Sequence, residues 1–164
     1  MRSTPAPAPT QVQVRIRALT ARDLDTVVRI DAIHTGEAQP AYWKRIFRDA
    51  LSRGDRVRVG LGAEVRGALV GFLFGEVRAF EFGSEPCGWI LEVGVNPRLA
   101  RQGVGTALLE EACRRLRASG VSTIRTMVRR NDVPVLTFFR TNGFAGGPYV
   151  QLELTDPPPR RGGT

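Results

Sequence analysis

Residues 88–109, GWILEVGVNPRLARQGVGTALL, decide the fold of this chain. An apolar strand leads into a short basic turn with two glycines, and an alanine- and leucine-rich helix follows. A strand, a glycine turn and a helix start in this order can bind an anion, because the first helical N–H groups lack intrahelical partners and the helix dipole is positive there. The spacing alone fits an ordinary strand–turn–helix corner equally well.

The glycine pattern excludes the two best-known phosphate loops. After Gly103 and Gly105, the position of a third glycine is occupied by Leu108, so the dinucleotide-binding fingerprint is absent. No Gly-Lys-Ser/Thr sequence follows, so the turn is not a nucleoside-triphosphate P-loop.

The same stretch resembles the central motif of the GNAT superfamily of acyl-CoA-dependent N-acyltransferases. In that family a strand ending in V-x-P leads into Gln/Arg-x-x-Gly-x-Gly/Ala and a helix. Here the two parts are Val95-Asn96-Pro97 and residues 100–105, ARQGVG. Ala100 stands where the family usually has Gln or Arg, but a backbone cradle requires only the glycines.

A second block, residues 131–144 (NDVPVLTFFRTNGF), resembles the later segment of the same family. That segment has an Asn, a short helix, an aromatic residue four positions before a glycine, and then Gly-Phe. The helical spacing of the apolar residues also fits an ordinary amphipathic helix. The two blocks in this order favour the family.

The resemblance implies acetyl-CoA as co-substrate and no metal. In the family the turn amides bind the pyrophosphate of coenzyme A, and the preceding strand contacts the pantetheine arm. The residues that the resemblance assigns to the cofactor are Val93, Val95, Arg101, Gln102, Gly103, Val104, Gly105, Thr106, Asn131, Phe138 and Phe139.

Acyl transfer to an amine needs a proton acceptor, and in this family it is often a glutamate on the first strand of the motif. Glu92 is the only carboxylate in residues 90–95, and we predict it as the general base. A solvent-facing or arginine-paired glutamate remains the alternative. Rival candidates for the base are Glu76, Glu81, Glu85 and His34.

The most consequential departure from the family is Phe139, which stands where a tyrosine commonly protonates the departing thiolate. Three interpretations remain open. Water supplies the proton, or Tyr42 or Tyr149 replaces the missing phenol, or the protein is a non-catalytic acyl-CoA-binding sensor or regulatory module.

The implied acceptor is a primary amine, attacked directly in a ternary complex. By resemblance it enters near residues 31–43 and 145–149, where Asp31, Glu37 and Tyr42-Trp43 are able to bind a cation. A small amine, a peptide N-terminus, a lysine and an antibiotic all remain open.

The element order predicted from periodicity is β-α-α-β-β-β-α-β-α-β, which is also the GNAT order. It describes an α/β fold with a central mixed, mostly antiparallel sheet of about six strands and helices on both faces. The predicted strands are 12–16, 57–61, 68–80, 90–95, 121–128 and 149–154, and the predicted helices are 20–36, 40–54, 104–118 and one around Phe138.

We expect a flexible Pro/Ala leader at 1–11, a single GNAT-like domain at 12–155 and a flexible tail at 156–164. With 164 residues, 42% of them hydrophobic, the chain suits one globular domain. No apolar run is long enough for a membrane span, and cytoplasm is the expected compartment.

The formal net charge of +8 is typical of proteins that bind nucleic acid, an acidic membrane or a polyanionic cofactor. The arginines are scattered, whereas nucleic-acid binders concentrate their charge and interleave aromatic residues, so the pattern disfavours nucleic acid. Coenzyme A is a sufficient reason for local clusters such as Arg98 and Arg101. A homodimer is left open.

Overall fold

The computed structural model describes residues 12–52, 57–79 and 83–154. It divides into two compact units, Met1–Met127 and Val128–Thr164. The predicted leader, the predicted tail from 156 onward and the candidate Glu81 lie outside the described residues.

The first unit contains a five-stranded sheet whose strands follow the chain order β1-β2-β3-β4-β5. Neighbouring strands are antiparallel from β1 to β4, and β5 joins β4 in parallel. The strands are β1 (Arg15–Ala18), β2 (Arg58–Val65), β3 (Ala68–Arg78), β4 (Cys87–Val95) and β5 (Ile124–Arg125). The predicted class, a mixed and mostly antiparallel sheet, is confirmed.

Four helices have bounds close to those predicted from the caps and apolar spacing. They are α1 (Leu24–Thr35), α2 (Pro40–Leu51), α3 (Val104–Ala118) and α4 (Val133–Thr141). Gly36 ends α1 in the left-handed conformation at φ 82°, and Pro40 begins α2, because its fixed φ suits a first helical turn. Within the described ranges, no helix has the length and apolarity to cross a membrane.

The helices of the first unit lie on both faces of the sheet. On one face, α1 and α2 close an apolar core against β3, and that core contains Leu19, Val27, Ile30, Trp43, Phe47, Phe72 and Phe74. On the other face α3 packs so closely on β3 that a Cβ at Gly71 would lie 3.2 Å from Leu108 and 3.3 Å from Val104. Because residues 71 and 72 point to opposite faces, both faces of β3 are covered.

A β-bulge at Leu91 divides β4 into two halves. Glu92 is paired with Phe74 and Ile90 with Gly75, so Leu91 has no partner on β3. The extra residue reverses the alternation of side chains. Ile90 therefore faces α3, whereas Glu92, two positions later, faces the side covered by α1 and α2.

The first two predicted strands, 12–16 and 57–61, lie further along the chain, at Arg15–Ala18 and Arg58–Val65, and the last two predicted strands are shortened or missing. The strand expected at 121–128 is reduced to Ile124–Arg125, because Thr126 Oγ1 donates to Ile90 O (3.1 Å) where the next backbone bond would form. The strand expected at 149–154 is not formed. Its apolar side chains Val150, Leu152 and Leu154 are exposed, and the described part of the second unit offers no strand to pair with them.

The second unit is built around α4. Asp132 caps this helix by accepting a hydrogen bond from Val135 N–H (3.2 Å). Phe139 is buried, and its ring lies 5.1 Å from those of Phe138 and Phe144 in edge-to-face contacts. Phe139 therefore has a packing role within this unit.

Candidate active site

The turn between β4 and α3 presents backbone N–H groups at the start of a helix. Gly103 is left-handed (φ 82°) and precedes α3, and Ala107 N–H donates to its carbonyl (2.9 Å). The N–H groups of Val104, Gly105 and Thr106 come before that bond, so they have no intrahelical acceptor. Unpaired N–H groups at a helix start are able to bind an anion.

The side chains around this turn suit a phosphate group. Val104 is buried against β3 and anchors the helix start, whereas Arg101, Gln102 and Gly103 are exposed. Arg101 adopts a left-handed conformation (φ 62°), which is unusual for a residue with a side chain. The exposed Arg98 adds a second positive charge to the same turn. All six turn residues assigned by the resemblance, from 101 to 106, are therefore gathered at one helix N-terminus.

The second half of β4 has one edge that no described strand covers. Asn96 N–H donates to Val70 O on β3 (2.7 Å). Because the backbone groups alternate along a strand, those of Glu92 and Gly94 also face β3, and those of Val93 and Val95 face the opposite edge. On that edge β5 pairs with β4 only before the bulge. The backbone of the two valines is thus placed where an extended ligand can pair with it.

His34 contacts the last residue of β4 on this edge of the strand. Its Nε2 lies 2.8 Å from the carbonyl oxygen of Val95, and a carbonyl only accepts, so Nε2 carries the proton. The hydrogen bond joins the exposed end of α1 to the last residue of β4. This contact makes His34 a poor candidate for the base through Nε2.

Glu92 is half-buried and hydrogen-bonded to Tyr42. The Tyr42 hydroxyl donates to Glu92 Oε1 across 2.8 Å. Burial and the nearby charge of Asp31 raise the pKa of Glu92, although the Tyr42 hydrogen bond acts in the opposite direction. Burial and the hydrogen bond to Glu92 raise the pKa of Tyr42 to about 12. The pair therefore holds one proton on the phenol and leaves the carboxylate as a proton acceptor.

Asp31 and Trp43 support this pair. Trp43 is almost completely buried, and its Nε1 donates to Asp31 Oδ2 across 2.8 Å. The Trp43 ring also lies edge-to-face against those of Tyr42 (5.2 Å) and Phe72 (5.0 Å). Of the residues predicted near the acceptor, the structure brings Asp31, Tyr42 and Trp43 to the side of β4 that carries Glu92.

Gly94 is a site residue that sequence reasoning missed. A Cβ at this position would lie 2.6 Å from Cε1 of Phe72, so only glycine fits opposite that ring. Phe72 packs in turn on Trp43. An isolated glycine inside an apolar strand signals such a close approach, and this signal was available in the sequence.

The rival carboxylates are placed differently from Glu92. Glu76 is paired with Arg78 (2.8 Å) and Arg58 (3.9 Å), while Glu85 is exposed. Glu37, predicted near the acceptor, is also exposed. Asn131, Phe138 and Phe139 belong to the second unit. In the part of the chain that the structure describes, no three His, Cys, Asp or Glu residues are grouped so as to hold a metal ion.

Comparisons with known proteins agree with this architecture. The family model for the acetyltransferase (GNAT) family matches residues 24–144. A mycothiol acetyltransferase of Saccharomonospora viridis is 31% identical over 87 residues, which are 51% of this chain and 28% of that protein. The chain thus matches a little over a quarter of the length of that relative.

Two solved structures show the same fold at low identity. An aminoglycoside N-acetyltransferase, AAC(6')-Iy in complex with CoA, superposes with a TM-score of 0.76 at 16% identity, covering 90% of this chain and 98% of that one. A ribosomal-protein-alanine N-acetyltransferase from Brucella melitensis gives a TM-score of 0.70 at 18% identity, with coverages of 87% and 99%.

Proposed function

Since the chain belongs to the GNAT acetyltransferase family, we propose that it transfers an acetyl group from acetyl-CoA to a primary amine by direct attack. The observation that carries this proposal is the position of Glu92, a half-buried carboxylate on β4 next to Val93, whose backbone faces the edge that no described strand covers. A base at this point lies next to the backbone groups that would hold the thioester.

The residues present fit coenzyme A. The uncommitted N–H groups of Val104, Gly105 and Thr106, with Arg98 and Arg101 near them, match the charge of a pyrophosphate. The backbone groups of Val93 and the N–H of Val95, which no described strand pairs with, match an amide-containing arm, whereas the Val95 carbonyl already accepts from His34. When bound, acetyl-CoA supplies an activated thioester, which an amine can attack without a covalent enzyme intermediate.

The chain's own groups then have two tasks. Glu92 accepts a proton from the attacking nitrogen, and its raised pKa brings it closer to the working pH, where a general base is most effective. A backbone N–H of Val93 or Val95 polarises the carbonyl oxygen as negative charge develops on it.

The acceptor is an amine of unknown identity, and the family relatives suggest the classes to test. Their names point to aminoglycosides and to an alanine of a ribosomal protein. The carboxylates of Asp31 and Glu92 would attract a protonated amine to either kind of acceptor.

One specific observation favours a second candidate, a non-catalytic acyl-CoA sensor. Phe139, at the position of the family's usual tyrosine, is buried among aromatic rings and offers no proton. A sensor would bind acetyl-CoA without turnover.

The test combines binding with turnover. Thermal shift with acetyl-CoA, CoA and NAD should show stabilisation by the first two only. CoA release is then followed with a thiol reagent, using sisomicin, a peptide that begins with alanine, and free lysine as acceptors. A blank without acetyl-CoA corrects for any reaction of the thiol reagent with the two buried free cysteines, Cys87 and Cys113. Stabilisation without CoA release from any amine would favour the sensor, and no stabilisation would refute both proposals.

A further inference from the structure

The departing thiolate needs a proton, and the described residues around Glu92 contain one suitable donor. We propose that Tyr42 protonates the thiolate and is then reprotonated by Glu92, so that the two residues form a proton relay. This inference rests on the proposed acetyl transfer and adds a catalytic residue from α2 to it.

The Tyr42 side chain is held in position from several directions. The residue lies in the first turn of α2, two positions after Pro40. Its ring lies edge-to-face against the buried Trp43 at 5.2 Å, and the Arg45 guanidinium lies 5.7 Å above it. The hydroxyl lies 2.8 Å from Glu92 Oε1. The phenol is thus oriented before any ligand binds, and such preorganisation favours proton transfer.

Tyr42 and Glu92 both return to their starting protonation states within one turnover. The neutral amine attacks the carbonyl carbon, a C–N bond forms, and Glu92 takes one proton from the positively charged nitrogen. The C–S bond breaks, the sulfur keeps the electron pair, and the Tyr42 hydroxyl gives it a proton. The protonated Glu92 then returns its proton to the Tyr42 oxygen, which restores both groups. The products are an amide and free CoA.

The charges around Tyr42 explain why it gives up its proton after Glu92 has taken one from the amine. Glu92 on β4 and Asp31 on α1 raise its pKa, whereas Arg45 on α2 lowers it. When Glu92 has taken the proton from the amine, its negative charge disappears, and one cause that holds the proton on the phenol disappears with it. Proton uptake by Glu92 therefore makes Tyr42 a stronger acid.

The Tyr42→Phe variant distinguishes a Tyr42 that donates a proton from a Tyr42 that only adjusts the pKa of Glu92. If Tyr42 donates the proton, the plateau of kcat falls about 10²-fold, a typical general-acid contribution. If the hydroxyl only tunes Glu92, its loss raises the pKa of that carboxyl. The acid limb of the pH profile then moves to higher pH and the plateau is kept. Acetyl-CoA affinity, measured by thermal shift, verifies that the variant is folded.

A double variant tests whether the two residues act as one unit. Because the relay is already broken when Glu92 is replaced, Tyr42→Phe combined with Glu92→Gln should be no slower than Glu92→Gln alone. Multiplied effects of the two substitutions would mean that they act independently and would overturn the relay.

A titration gives a readout that does not depend on any acceptor. The chain has two tyrosines, so after Tyr149→Phe the ultraviolet absorbance of tyrosinate reports Tyr42 alone. We expect Tyr42 to ionise at a lower pH when Glu92→Gln is added to this background, because the carboxylate charge no longer raises the pKa of the phenol, while burial still does. Circular dichroism monitors folding. Ionisation at the same pH in both forms would overturn the coupling.

The outcomes distinguish the two proposals. No CoA release by the parent protein with any amine refutes acetyl transfer itself. A parent that turns over, with Tyr42→Phe keeping the full plateau, refutes only the relay. A plateau that falls in Tyr149→Phe instead would assign the proton donor to Tyr149.

Discussion

The Tyr42 hydroxyl lies 2.8 Å from Oε1 of Glu92, although the two residues are 50 positions apart in the sequence. The contact joins the first turn of α2 to the half of β4 that follows the bulge. It places a proton donor and a proton acceptor side by side on the face of β4 that α1 and α2 cover.

Glu92→Gln should lower turnover about 10²-fold, because the amide keeps the shape of the side chain but cannot accept the proton. Acetyl-CoA binding should be unchanged, since we assign the cofactor to backbone groups. CoA release and thermal shift measure the two effects. The matched control is Glu85→Gln in the exposed loop, and an equal loss in that control would move the base away from Glu92.

The same substitution should make the protein more stable at alkaline pH. Burial raises the pKa of Glu92 above its ordinary value of 4.5, so the charged carboxylate disfavours the folded state at higher pH and has no such effect below that value. Thermal unfolding should show a gain for Glu92→Gln at about pH 8 that disappears at about pH 4. A larger gain at the acidic end would contradict this explanation.

Gly105→Val should weaken acetyl-CoA binding, because its side chain would project at the helix N-terminus where we place the pyrophosphate. We expect a loss of about tenfold or more, corresponding to about 1.4 kcal/mol. Gly105→Ala is the matched control, with a smaller side chain and high helix propensity, and it should bind with intermediate affinity. An unchanged affinity in a folded Gly105→Val protein would show that the site assignment is wrong.

Phe139→Leu should lower the free energy of unfolding by about 1–2 kcal/mol through lost aromatic packing. It should leave the shape of the pH–rate profile unchanged, because Phe139 carries no ionisable group. Urea unfolding and kcat against pH provide the two measurements. An alkaline limb that is present in the parent and absent in the variant would disprove this prediction.

Asp23→Asn should reduce stability at neutral pH, and by less in acid. Arg17 donates two hydrogen bonds to Asp23 (2.7 and 2.8 Å), and this pairing lowers the pKa of that carboxyl from 3.8 to about 2. A lowered pKa stabilises the fold above pH 4, and the stabilisation is lost as pH falls toward 2. It amounts to ~2 kcal/mol.

Urea unfolding of the parent and Asp23→Asn at about pH 7 and about pH 3 tests this linkage. Asp25→Asn is the control, because Asp25 is exposed and the described residues give it no ion pair. A stability difference between parent and Asp23→Asn that stays constant with pH would mean that the ion pair does not account for it.

The sequence by itself was sufficient for the helices and for the turn. Gly36, Pro40 and the glycines of the turn act through local backbone geometry, so their consequences could be predicted at residue level. The mixed sheet with helices on both faces followed from the element order. The last strand did not, because a strand exists only where another strand takes its hydrogen bonds.

Only the tertiary structure decided which side chains meet. The bulge at Leu91 has no signal in the residue type, yet it sets the face on which Glu92 lies. The contacts of Tyr42 with Glu92 and of His34 with Val95 depend on how α1 and α2 pack on the sheet. That packing results from non-local burial of Trp43 and Phe72, which no short stretch of sequence encodes.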